Sequence, residues 1–335
     1  MLPLTQIAAL RTTVDDEWRS PVADAVGRAW DIPAGGLRYW RSSAAHVFVV
    51  PPGGDARGVL YARFAPAGSA SGAHLQRGAQ LHDRLTDAGA PVAELVRSCA
   101  GRAVELIHTP LGEMAACVVK RVDGEELDVD GLDAGAAAAW GAALAEFHRT
   151  AGEVVPPSAP PPRNPFAVLA RHMTDPDLAA AAQELAMHWG PESGPLVVGH
   201  GDFELDNLRW SAGRPTSFDL DEAGVMPAAA DMSAAVRDLL GPRPAAPLHP
   251  ELLAAFVDGY RRTAGHAVTL DALLLHRAAF AAQQLAEASD VMDRGPDGEG
   301  WLSDLVAGLN RHYAEQRDIV VATAEGRKPP TMLPG

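Results

Sequence analysis

At Gly124 the texture of this chain changes abruptly, and no purely helical or purely β fold accommodates both parts. Before it, from about residue 37, strand-forming runs alternate with turns: LRYW at 37–40, HVFVV at 46–50, VLYARF at 59–64, AVELIHTP at 103–110 and MAACVVKRV at 114–122. HVFVV and VLYARF, joined by the Pro/Gly/Asp loop 51–58, read as a β-hairpin. One helix is expected over 75–88, where Leu81 and Leu85 lie four apart and Gly89 and Pro91 close the segment. After Gly124, AGAAAAWGAALAEFHRT at 134–150 combines strong helix formers with a period near 3.6. Further helices are expected at 166–173, 176–189, 228–240, 249–264, 269–290 and 299–323. The proline-rich run 154–165 reads as a solvated extended loop. The expected organisation is α+β: a β-rich unit over 1–122 built as a sheet with one helix, a helical unit over 123–324, and a disordered tail over 325–335.

The 335 residues suffice for one or two substantial cores. The 28 basic residues against 43 acidic ones give a net charge of −15, which disfavours a nucleic-acid backbone or an anionic membrane as partner. A cationic small molecule suits that field better. Cys99 and Cys117 are too few for a disulfide framework or a zinc site and read as small buried residues. The N-terminal run carries acids early and has no apolar stretch before a cleavage site, and no run reaches the ~18 apolar residues of a membrane span. The expected location is the cytoplasm.

Residues 196–224, LVVGHGDFELDNLRWSAGRPTSFDLDEAG, carry the chemistry. An apolar run ends in His200-Gly201-Asp202, and the runs 208–210 and 217–219 flank a polar turn. A turn centred on Gly213 would set Leu208 opposite Phe218 and Asn207 opposite Asp219, with Cβ atoms about 4.5–5.5 Å apart. An amide oxygen and a carboxylate so placed can share one hard cation such as magnesium. Asp202, at the mouth of the same loop, could accept a hydroxyl proton beside it. A base, an amide ligand and a carboxylate ligand meet the needs of phosphoryl transfer. Taken singly, each has an ordinary alternative: a tight turn, a turn asparagine, a charge at a hairpin end.

His200-Gly201-Asp202-Phe203 with Asn207, then Phe218-Asp219-Leu220-Asp221-Glu222-Ala223-Gly224 and Asp231-Met232-Ser233-Ala234, resembles the signature of the aminoglycoside phosphotransferase family, kinases with a protein-kinase-like fold. The resemblance spans roughly residues 37–290 and is densest around 196–240. It implies a bilobal protein-kinase-like fold, with a β-rich N-lobe and a mainly helical C-lobe. It also implies transfer of a phosphoryl group from ATP, or GTP in its place, with Mg2+, to a hydroxyl of a small molecule. By resemblance Asp202 is the catalytic base, His200 orients its loop, and Asn207 and Asp219 hold the metal. Arg63 takes the place of the strand cation that grips nucleotide phosphates, where a guanidinium offers a bidentate fork. Ser42, Ser43 and His46 resemble the loop whose N–H groups cradle phosphate. Lys120 and Val122 fall at the hinge, where backbone groups meet the adenine edge. Asp231 would buttress the catalytic loop, or act as a helix N-cap.

Some positions depart from the family pattern. The helix after the strand cation carries no glutamate, leaving Gln76, Gln80, Asp83 or phosphate alone to hold Arg63. Glu204, Asp206, Asp221 and Glu222 make the segment strongly acidic, which could attract an amine-bearing substrate or a second metal, or simply be acidic surface. Candidate acceptor residues are Tyr260, His276, Gln283, Gln284, Asp290 and Asp293. The alternatives are a stress-response-type serine/threonine kinase, a nucleotide-binding pseudokinase, and a non-catalytic acidic groove for a cation.

Overall fold

The computed structural model of the chain describes residues 1–157, 164–190, 195–241, 247–293 and 300–327. They fall into two compact units. The first comprises Met1–Leu127, Phe147–Pro156 and Val198–Gly224. The second comprises the described residues of Asp128–Glu146, Pro157–Val197 and Val225–Gly335.

The first unit is built on strands β1 (Arg38–Ser42), β2 (His46–Val50), β3 (Leu60–Pro66), β4 (Leu95–Val96), β5 (Glu105–Thr109) and β6 (Gly112–Lys120). They form one sheet in the order β1-β2-β3-β6-β4, with β5 also on β6, and every pair is antiparallel. Alternation along β3 decides what each face carries. Ala62 and Phe64 join Phe48, Met114, Ala116 and Val118 in a core against Leu10, Val22, Val26 and Trp30. Those partners come from the N-terminal segment, including α1 (Leu4–Arg11) and α2 (Pro21–Gly27). The opposite face holds Ala115 and Cys117 with Leu75 and Ala79 of α3 (Ala70–Asp87), and Arg63 is paired with Cys117 in the ladder. The sequence expectation of a sheet with one helix therefore misses α1 and α2, whose 8 and 7 residues are too few for a period to show. Cys117 is buried as expected, but Cys99 is exposed, in a loop tied back by its N–H to the Ala29 carbonyl.

Strand β7 (Leu196–Gly199) leads to the hairpin of β8 (Leu208–Ser211) and β9 (Arg214–Ser217), and β10 (Gly224–Pro227) follows. Residues 198–224 cluster with the sheet because the hairpin is stitched to it on both sides. Trp210 exchanges backbone hydrogen bonds with Glu125 at 2.8 and 2.9 Å, and Ser217 bonds to Pro91 and Ala93 at 3.0 and 2.8 Å.

In the second unit, α5 (Pro165–His172), α6 (Pro176–His188), α10 (Leu270–Val291) and α11 (Gly300–Arg327) share a core of Phe166, Leu169, Leu178, Leu185, Ala278, Ala282 and Val320. Helix α4 (Ala134–Val154) meets α9 (Pro250–Ala264) through glycines: a Cβ on Gly141 would lie 2.0 Å from the Phe256 carbonyl, and one on Gly259 2.0 Å from that of Ala138. The helix expected at 228–240 is two, α7 (Ala228–Ala235) and α8 (Arg237–Leu240), because Val236 leaves helical geometry at ψ 20°. Helix α11 extends through residues 325–327, where a tail was expected; 328–335 and the 158–163 part of the proline-rich run lie outside the described residues. Among the described residues no helix is long and apolar enough to cross a membrane.

Candidate active site

The strand β7 delivers the chain into His200-Gly201-Asp202. Gly201 has φ +83°, and a Cβ there would sit 2.4 Å from the Glu222 carbonyl oxygen, so only glycine lets the loop lie this close. The His200 ring is fully buried, with Phe147 and Phe203 each 5.4 Å away between centroids. This packing fixes the loop rather than exposing the imidazole to a substrate. Asn207 Nδ2 donates to Asp202 twice, to Oδ2 at 2.9 Å and to the backbone carbonyl at 3.0 Å. The amide is thereby oriented with its nitrogen toward Asp202, and Oδ1 is the end left to face a cation.

The hairpin register differs by one residue from the expected one. Ala212 and Gly213 both have positive φ, 49° and 73°, which defines a two-residue turn of the primed type. The ladder is therefore centred between them and sets Leu208 opposite Ser217 and Trp210 opposite Pro215. Asn207 meets Phe218, whose N–H donates to the Asn207 carbonyl at 3.1 Å, and is not cross-strand from Asp219. Instead Asp219, at φ +68°, turns the chain off the ladder.

Asp219 and Asp221 converge on one guanidinium nitrogen: Arg63 Nη2 lies 2.6 Å from Asp219 Oδ1 and 2.7 Å from Asp221 Oδ2. Arg41 of β1 approaches Asp219 Oδ2 at 3.5 Å from the more exposed side. Burial alone would lower the Arg63 pKa, but the two carboxylates raise it above its usual value, so it stays charged. Burial opposes ionisation of Asp219 too, and Arg63, then Arg41, hold its pKa below the usual carboxylate value. Asp221 goes the other way, to about 6, because burial and its neighbours Asp219 and Glu222 outweigh Arg63. The substitutes expected from α3 are engaged elsewhere or face solvent: Gln76 bonds to the Gly72 carbonyl, Gln80 is exposed, and Asp83 bonds to Arg97.

The remaining candidates are distributed as follows. Ser42 Oγ lies 2.9 Å from His46 Nδ1, and Ser43 donates to Ala45 and accepts from Leu2. His46 is buried against Phe64, and burial drives its pKa to about 4, so the neutral ring braces the β1–β2 turn through Ser42. The Lys120 N–H is taken by the Glu94 carbonyl at 2.8 Å, which leaves its carbonyl, and Val122 follows the end of β6. Asp206 is exposed, and Glu222 faces His74 at 3.5 Å. Helix α7 starts at Ala228, so Asp231 is not its N-cap but a fully buried residue one turn in. Of the acceptor candidates, Tyr260 and His276 are buried in the second unit and Gln284 pairs with His312. Gln283, Asp290 and Asp293 are exposed. Arg41 was not singled out from sequence; its position just before the Ser42-Ser43 turn is the signal that could have found it.

The donor set suits a hard cation. Asn207 and Asp219 offer an amide oxygen and a carboxylate, which fits Mg2+, an ion usually held by one or two carboxylates with phosphates and water completing its shell. Among the described residues no group of three or more His, Cys, Asp or Glu forms an all-protein metal cage.

The family model for the phosphotransferase enzyme family matches residues 43–266. Comparison with curated protein sequences gives no match. Among solved structures, an amicoumacin kinase bound to AMP-PNP, Ca2+ and its ligand is similar over 93% of this chain and 96% of its own, at 16% identity and a TM-score of 0.65. A spectinomycin phosphotransferase in complex with ADP and spectinomycin is similar over 89% and 96%, at 13% identity and a TM-score of 0.58. A microcompartment-associated aminopropanol kinase is similar over 90% and 94%, at 15% identity and a TM-score of 0.56. The fold is thus the α+β kinase-like one, an N-terminal antiparallel sheet followed by a mainly helical C-terminal region.

Proposed function

Because the chain belongs to the phosphotransferase enzyme family, we propose that it transfers the γ-phosphoryl group of Mg2+-bound ATP to a hydroxyl of a small, amine-bearing molecule. The observation that carries this reading is the linked polar chain from Asp202 through Asn207 and the Phe218 N–H to Asp219, and from Asp219 to Arg63. Asp202 accepts the acceptor's hydroxyl proton and aligns its oxygen for attack. Asn207 steadies that carboxylate through Nδ2 and turns Oδ1 to the metal, with Asp219 as the second ligand. The ion, when bound, neutralises charge on the phosphates. Arg63 and Arg41 bring guanidinium groups to the same phosphates, and the Ser42-Ser43 turn covers them. The Lys120 carbonyl and Val122 backbone meet the base; GTP would use the same phosphate contacts. Nearly all the rate enhancement then comes from positioning and charge.

An amine-bearing acceptor is supported by the net charge of −15 and by a similar fold in a kinase named for an amino alcohol. The pseudokinase reading rested on the missing helix glutamate, and it loses that ground because Arg63 is held by carboxylates from the 219–221 segment. The test is phosphoryl transfer to a panel of amino alcohols and aminoglycosides, followed by ADP release. Asp202→Ala should lose transfer at least a thousandfold while binding Mg·ATP as before. Turnover equal to the wild type would refute the assignment.

A further inference from the structure

Resting on the nucleotide site just proposed, we infer that Asp221 is the positioning residue for Arg63, doing from the 219–222 segment what an acid on α3 would otherwise do. Helix α3 contains no glutamate, and its aspartates at 83 and 87 are both bonded to Arg97. Arg63 must nevertheless be aimed, because its guanidinium is buried and leaves the sheet on the α3 face. The structure shows how a carboxylate from a segment 158 residues away reaches it. Gly78 stands where α3 passes that segment, and a Cβ there would lie 2.2 Å from the Leu220 carbonyl oxygen and 3.1 Å from the Asp221 Cα. On its other side the segment rests on Gly201, whose absent side chain admits the Glu222 carbonyl. Two glycines thus let residues 220–222 lie between α3 and the catalytic loop, and from there Asp221 Oδ2 reaches Arg63 Nη2 at 2.7 Å.

The two carboxylates on Arg63 have different duties. Asp219 is the one that would turn to the cation when nucleotide arrives, and this would weaken its hold on Arg63. Asp221, buried at 7% exposure and on the same guanidinium nitrogen, keeps Arg63 aimed through that exchange. A buried guanidinium left without a carboxylate would be costly, so the second acid makes the exchange feasible.

The test is a double-mutant cycle on the full chain, with Asp221→Asn and Arg63→Met singly and together, read as Mg·ATP and adenosine affinities by calorimetry. Asp221→Asn should weaken Mg·ATP at least tenfold, leave adenosine within twofold, and add no further loss in the Arg63→Met background. Equal Mg·ATP affinity, a parallel loss of adenosine affinity, or a full additional loss in the double variant would overturn the inference; the last would make Asp221 a metal ligand. If the wild type binds adenosine and Mg·ATP not at all, the nucleotide reading itself fails, and this one with it. A wild-type crystal structure with Mg·AMP-PNP tests the same point without a variant. Arg63 should still contact Asp221 while Asp219 faces the ion, and Asp221 on the ion instead would refute it.

Discussion

Lowering the pH from 7 to 5 should destabilise this protein steeply, and buried histidines set the slope. His46, His82 and His276 are each buried, and burial brings each pKa from 6.5 down to about 4. His82 Nε2 lies 2.5 Å from the Ala93 carbonyl, a contact the neutral ring makes by donating. Each ring is neutral in the native state and charged in the unfolded chain below pH 6.5. The unfolded chain therefore binds more protons, and the stability these rings contribute is full above pH 6.5 and is lost as pH falls toward 4. A shift of that size corresponds to about 3 kcal/mol per ring. Asp221 works in the opposite direction: burial and its acidic neighbours raise its pKa to about 6, so its contribution is present at low pH and is lost as pH rises through 6, which offsets part of the histidine effect. Near pH 5 the net difference is roughly two protons, a slope of about 3 kcal/mol per pH unit against a typical total of about 5–15 kcal/mol. Urea unfolding followed by tryptophan fluorescence at pH 7, 6 and 5 measures it, and His82→Gln should flatten the curve. Equal unfolding free energies at pH 7 and pH 5 would refute the reasoning.

Three further outcomes are expected. Gly78→Ala, which on an exposed helix would stabilise by up to about 1 kcal/mol, should here destabilise by about 1–3 kcal/mol in thermal unfolding, because Leu220 must retreat from the new methyl. Gly201→Ala should cost about 1–3 kcal/mol for a side chain at positive φ and lower phosphoryl transfer more than tenfold by lifting the catalytic loop off Glu222; transfer at the wild-type rate would contradict that contact. Arg41→Ala should leave stability within about 0.5 kcal/mol, as for an exposed ion pair, yet weaken Mg·ATP several-fold in a titration whose salt dependence is shallower than that of the wild type.

Much of this architecture was legible in the sequence because the signals were local. HVFVV at 46–50 coincides with β2, and the helical period at 134–150 lies within α4. The hairpin was equally visible, but its register was not. A turn centred on Gly213 and one spanning Ala212 and Gly213 differ by half a residue, and only Ala212 at positive φ, where alanine is uncommon, selects the second. The short helices α1 and α2 were silent for a related reason, since fewer than two or three turns show no period.

The partner of Arg63 was illegible for a different reason. A search for its acid naturally runs along α3, the next element in the chain, and finds none. The acid that serves it is 158 residues downstream, and what brings it near is the absence of side chains at Gly78 and Gly201. Glycine in a helix normally reads as a weakness, and glycine in a HGD run reads as a turn, so neither residue announces that it clears a path for the same three residues. Restoring a glutamate to α3 here, with residues 220–222 still seated against Gly78, would place a third carboxylate around one guanidinium, and the buried excess charge would cost stability rather than add to it.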